Sequence, residues 1–177
     1  MRLIALAAAL MLAACTPPVQ GARDPALVTV FHAGGETRAA AGLFDRYALS
    51  GPGEDFTVGD LAALPARGIE TGYPQGAEVQ HWSGPRLSAL LAAVDAAGSG
   101  ARLTAVDGYQ ATVTAEEIAQ FDPILATARD GAPLALGGFG PAILIWPRDT
   151  DPELSDMTDD KWPWAVFAVE VLEPEDG

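Results

Sequence analysis

The sequence predicts a β-rich α+β domain with short helices between strands, and three observations carry that expectation. Short apolar runs recur between Gly, Pro and Asp punctuation, as strands do. One segment, Leu87, Leu90, Leu91 and Val94, keeps helical spacing. Two Thr-led segments carry an acidic residue three positions on, the pattern of a capped helix start.

In chain order, Val28-Thr29-Val30-Phe31 reads as the first strand, closed by a turn at Gly34-Gly35. Phe56 to Pro65 reads as a short helix, because Thr57 and Asp60 form a capping pair and Pro65 stops the turn. Strands are expected at Ile69 to Tyr73 and Glu78 to Ser83. The clearest helix starts at Pro85, a favourable first helical position, and stops at Gly98. Leu103 to Asp107 and Gln110 to Thr114 form a hairpin around Gly108-Tyr109. Thr114 and Glu117 then open a brief helix to about Gln120. Ile124 to Arg129 and Pro133 to Leu136 flank Asp130-Gly131, a strong hairpin signal. Ala142 to Trp146 and Ala165 to Leu172 are apolar enough for buried strands, separated by an acidic loop.

The N-terminus carries a different signal. Arg2 precedes an unbroken apolar run from Leu3 to Ala14, too short for the roughly 20 residues of a spanning helix but suited to a secretory signal. The run ends in Leu12-Ala13-Ala14-Cys15, which resembles the bacterial lipobox, in which the thiol is acylated. Cys15 is the only cysteine, so no disulfide framework competes for it. The expected organisation is a lipoprotein signal peptide at 1–14, a Pro-containing tether at 15–25 and a single domain at 26–177. Thr16 follows the cysteine in place of the Asp that resembles an inner-membrane retention signal. The expected address is therefore the outer membrane, facing the periplasm, with the membrane contacted through lipid on Cys15.

The chain has 24 acidic and 10 basic residues, a formal net charge of −14, and loss of the signal would remove the positive Arg2. Such a balance excludes nucleic acid as an expected partner. No Gly-x-Ser-x-Gly, Gly-Lys-Ser/Thr or His-Glu-x-x-His pattern is present, so hydrolase and nucleotide-enzyme classes find no support. The loop Asp149 to Asp160 has a superficial likeness to a calcium loop. It carries Leu154 where the tight turn requires Gly, and a solvated, mobile loop is the expectation.

Four motifs share an order. Trp82-Ser83-Gly84-Pro85-Arg86-Leu87-Ser88-Ala89-Leu90-Leu91 comes first, followed by Asp107-Gly108-Tyr109-Gln110-Ala111-Thr112-Val113. Ile124-Leu125-Ala126 with Asp130-Gly131-Ala132-Pro133-Leu134 comes next, and Gly140-Pro141-Ala142-Ile143-Leu144-Ile145-Trp146-Pro147 last. Together they resemble the sulfite-oxidase-type molybdopterin-binding family, over roughly Phe56 to Val171. The resemblance implies a mixed-sheet fold that cradles a molybdenum pyranopterin and performs oxygen-atom or two-electron transfer. It also implies a metal-ligating cysteine shortly before the Trp-x-Gly segment. The stretch Ile69 to His81 contains none. A basic residue just before the last strand is also implied, where this chain has Pro163-Trp164. The sequence is more similar to the small cysteine-less exported members.

The expectation is therefore a non-catalytic ligand-binding or accessory module with no cofactor and no catalytic residues. A molybdopterin-dependent oxidoreductase is the alternative. By resemblance, the former cofactor cleft is lined by His81, Trp82, Arg86, Asp107, Gly108, Tyr109, Gly140, Pro141, Trp146 and Arg148. It would take a small ligand or a periplasmic partner protein. Each has a plainer reading: large aromatics usually belong to cores, Arg86 to the solvent, and His81 to a hydrogen-bonded structural position.

Overall fold

Val28 opens a strand that runs further than its apolar start indicates. In the computed structural model, which describes residues 25–38 and 41–173, β1 spans Val28–Arg38 and β2 spans Gly51–Phe56, paired antiparallel. The signal segment, Cys15 and all but the last residue of the tether lie outside the described residues. The expected turn at Gly34-Gly35 is a bulge instead, because Phe31 and Glu36 both pair with Gly53. A Cβ on Gly35 would lie 2.3 Å from the Gly53 nitrogen, so only glycine lets the two backbones approach this closely. β2 was not anticipated, since Gly-Pro-Gly-Glu-Asp-Phe lacks β-branched residues. It is an edge strand, where Pro52 is tolerated.

After the single turn α1 (Leu43–Arg46), also not anticipated, come α2 (Val58–Ala63), β3 (Ala66–Gly72), β4 (Val79–Pro85) and α3 (Leu87–Ala92). The Thr57/Asp60 capping box forms as expected: Thr57 Oγ1 accepts the Asp60 N–H at 3.2 Å, and Asp60 Oδ2 accepts the Thr57 N–H at 2.9 Å. The start of α3 differs from expectation. Pro85 is the last residue of β4, paired with Ala66, and Arg86 is the N-cap. Strand pairing with β3 prevails over the helix-start preference of proline, and the helix ends at Ala92, before Gly98.

The chain continues through β5 (Gly100–Ala105), β6 (Gln110–Val113), α4 (Ala115–Phe121), β7 (Ile124–Ala126), β8 (Ala128–Arg129), β9 (Ala132–Pro133), β10 (Ile143–Ile145) and β11 (Val166–Leu172). α4 carries the expected Thr114/Glu117 capping box. The expected single strand Ile124–Arg129 is divided at Thr127. Its apolar half joins β10 in a fully buried two-stranded sheet, and its polar half joins β3-β4-β8-β9. Asp130 and Gly131 turn the β8–β9 hairpin with φ of 50° and 78°, the positive values a two-residue hairpin needs. The expected strand Pro133–Leu136 is cut short, and Leu136 stands 77% exposed.

The largest sheet has the order β2-β1-β11-β5-β6. β11 runs parallel to β1 and antiparallel to β5, which makes the sheet mixed and places the last strand at its centre. Val28, Val30, Leu103 and Val166 from this sheet share one core with Leu87, Leu90, Leu91, Trp82, Trp146 and Trp162. Each such side chain contributes about 1.5–3 kcal/mol relative to exposure. The alternate residues Phe31 and Phe167 form a second, smaller cluster with Leu49, Phe44 and Tyr47, as strand alternation requires. The segment expected to be a mobile acidic loop is built instead: it holds two 3-10 turns, Pro152–Leu154 and Asp159–Lys161, and buries Leu154 and Trp162.

Candidate functional site

Three segments meet beside the end of β3. The turn between β5 and β6 brings Asp107 and Tyr109, with Gly108 between them at φ 91°. A Cβ at Gly108 would lie 2.5 Å from the Tyr47 ring, so glycine suits both the turn and the close packing. The segment before β11 runs alongside, fastened where Val106 N–H donates to the Ala165 carbonyl at 3.1 Å. The residues just after β3 supply Tyr73. Between them lies a cavity of about 260 Å³ bordered by Tyr73, Asp107, Tyr109, Asp159, Trp162 and Trp164.

Arg148 braces the cavity from beneath. It is 4% exposed, and its guanidinium donates to the Gly72 carbonyl at 2.6 Å, the Met157 carbonyl at 3.1 Å and Asp159 Oδ1 at 2.8 Å. It also lies 4.5 Å from the centre of the Trp162 ring, whose plane stacks on Tyr73 at 5.3 Å and 10°. A buried charge is tolerated when fully paired in this way. Its neighbour Asp149 accepts the Gly72 N–H at 2.6 Å and the Thr71 hydroxyl at 3.1 Å, while Asp159 accepts the Gln75 N–H at 2.8 Å. The stretch 71–75 is thus held by carboxylates on its backbone amides. Burial pushes the Tyr73 phenol pKa up, and the negative Asp159 adds to the rise, with Arg148 opposing it in part.

The expected site residues do not all converge here. Asp107 and Tyr109 line the cavity, Gly108 shapes their turn, and Arg148 lies below the surface with its donors committed inward. Trp82 and Trp146 are core residues with no exposure, their indole N–H groups donating to the Thr71 carbonyl at 3.1 Å and the Lys161 carbonyl at 2.8 Å. His81 borders a different depression with Arg67, Glu70 and Thr150, and its backbone N–H donates to Asp130 at 3.0 Å. Arg86 is ion-paired with Asp122, which also accepts from the Ser88 hydroxyl at 2.7 Å, so it closes the end of α4. Gly140 and Pro141 follow a turn in which Gly140 N–H donates to the Ala135 carbonyl at 3.1 Å. That turn borders a third depression, with Arg129, Leu134 and Phe139.

Sequence reading placed none of Tyr73, Asp159, Trp162 and Trp164 at the site. A signal existed in Asp159-Asp160-Lys161-Trp162-Pro163-Trp164, where aromatic residues interrupt an acidic run. No group of three or more His, Cys, Asp or Glu side chains positioned for a metal ion occurs among the described residues.

The fold is a strand-rich, mixed α+β domain with a few short helices, consistent with the sulfite-oxidase-like architecture expected from the motifs. Among solved structures, the chain is similar to the sulfane dehydrogenase SoxCD from Paracoccus pantotrophus, with a TM-score of 0.50 and 18% sequence identity. The likeness covers 69% of this chain and 36% of that one, so the chain spans about a third of its neighbour's length, and the likeness carries the fold alone. No family model and no curated protein sequence matches the chain.

The molybdenum pyranopterin implied by the resemblance can be tested against the wall of the cavity. The resemblance implies a soft protein thiolate on the metal, and the phosphate of such a group calls for cationic or N–H partners. The wall supplies two carboxylates and no thiol, the Arg148 guanidinium behind it is committed to Gly72, Met157 and Asp159, and Cys15 is the only cysteine of the chain. These residues do not fit the group.

Proposed function

We propose that this is a lipid-anchored, periplasm-facing protein whose sulfite-oxidase-like domain is a non-catalytic ligand-binding or accessory module. One observation carries the reading. Where the resemblance calls for a metal-binding thiolate, the stretch 71–75 is pinned by Asp149 and Asp159, and the adjoining cavity is walled by aromatic rings and carboxylates. Such a wall suits a small ligand held by apolar and polar contacts, and it offers no thiolate to a metal. The anchor rests on the lipobox-like sequence at Leu12 to Cys15 and the outer-membrane address on Thr16.

The second reading, a molybdopterin-dependent oxidoreductase, is favoured by the fold likeness to a sulfane dehydrogenase. Elemental analysis and absorbance of the full chain purified from its native membrane separate the two. The module reading expects no stoichiometric molybdenum and no pterin band. Stoichiometric molybdenum with pterin would overturn it.

A further inference from the structure

We propose that the cavity beside Tyr73 binds a small organic cation of the alkylammonium type, with Asp107 as counter-charge and the Tyr109 and Trp164 rings as its walls. This rests on the reading of the domain as a ligand-binding module and names its ligand class.

The distribution of tryptophans is the first support. Trp82, Trp146 and Trp162 are all but fully buried, whereas Trp164 is 41% exposed and Tyr109 45% exposed at the same cavity. Large rings left out of a core and bordering one concave site offer surface to a ligand. Trp162 and Tyr73 already cover one another, and Arg148 lies over the Trp162 ring as well. The rings left with surface to offer are therefore Tyr109 and Trp164.

Charge decides what they hold. Asp159 is offset by Arg148, so the two leave little net charge on that side. Asp107 accepts the Tyr109 backbone N–H at 2.9 Å, which holds its carboxylate at the turn that borders the cavity, and it pairs with no cation among the described residues. An uncompensated carboxylate next to exposed aromatic faces repels anions and attracts cations, because the face of an aromatic ring is the negative end of its quadrupole. The net charge of −14 draws the same class of ligand from a distance.

The test uses the full-length protein in detergent, titrated with choline, tetramethylammonium, the neutral carbon isostere of choline, and phosphate. Tryptophan fluorescence and calorimetry are the readouts. Both cations are expected to bind and to perturb tryptophan emission, with affinity falling as salt rises. Asp107→Asn and Trp164→Ala, both at exposed positions, are each expected to weaken choline at least about tenfold without moving the unfolding midpoint. The neutral isostere is expected to bind more weakly by a similar factor. Equal binding of the neutral isostere, preferential binding of phosphate, unchanged choline affinity in both variants, or no response to either cation at millimolar concentration would each overturn the cation assignment. Binding of the neutral isostere by molybdenum-free protein would leave the module reading standing, whereas molybdenum and pterin in the native protein would remove that reading itself.

Discussion

Arg148 and Asp159 meet at 2.8 Å with the arginine 4% exposed, and the same guanidinium donates to the Gly72 carbonyl while the same carboxylate accepts the Gln75 N–H. The pair ties the segment between β10 and β11 to the end of β3, and the cavity stands on that tie.

Replacing Arg148 by Met is expected to destabilise the domain by about 3 kcal/mol, because it leaves the Gly72 carbonyl and a partly buried Asp159 without their partner. Asp159→Asn is expected to cost less, since Asp159 keeps contact with solvent. The double variant is expected to recover part of the Arg148→Met loss. Urea unfolding of the four proteins gives the coupling; strictly additive effects would show that the pair is not energetically linked.

Glu117 adds a pH dependence. Burial pushes its carboxyl pKa up, but the hydrogen bond and charge of Lys161 and the Thr114 N–H together hold it below the ordinary 4.5. A depressed folded value means that the group's stabilising contribution is complete above about pH 5 and disappears as pH falls through the folded value. The stability difference between the wild type and Glu117→Gln is therefore expected to be largest at neutral pH and to shrink as pH falls below the ordinary carboxylate range. Unfolding midpoints measured across that range check it, and a constant difference would refute it.

The tryptophans are expected to separate by role. Trp82→Ala removes a fully buried ring and its hydrogen bond to the Thr71 carbonyl, and is expected to cost about 3–5 kcal/mol. Trp164→Ala, at an exposed rim, is expected to stay within about 0.5 kcal/mol. Equal losses by chemical denaturation would mean that Trp164 also belongs to the core.

The proposed anchor has its own test. Palmitate labelling of the protein in a lipoprotein-processing bacterium is expected to disappear in Cys15→Ala, with the protein released from the membrane fraction. Labelling that persists in the variant would place the lipid elsewhere or remove it from the account.

Much of the fold was legible because much of it is local. Thr57 with Asp60, Thr114 with Glu117, and Asp130-Gly131 satisfy their hydrogen bonds or dihedral needs within a few residues, so composition and spacing reveal them. β2 was not legible because its strand character comes from pairing with β1, not from its own Gly-Pro-Gly-Glu-Asp-Phe sequence. The division of Ile124–Arg129 was hidden for the same reason: two different sheets claim its two halves. At the site, Asp107 and Tyr109 were legible through their turn, whereas Tyr73 carries no local mark, and the acidic run broken by aromatic residues at Asp159 does not say which cavity it meets.

By itself the sequence determined the caps, the hairpin turns, the acidic balance and the absence of a thiol from the stretch 69–81, since these need only neighbouring residues or composition. Only the tertiary structure decided that Arg148 turns inward, that Arg86 pairs with Asp122, and that His81 stands apart from Asp107 and Tyr109. A charged side chain goes where distant carbonyls and carboxylates can replace its water, and which groups those are is settled by packing the sheets together.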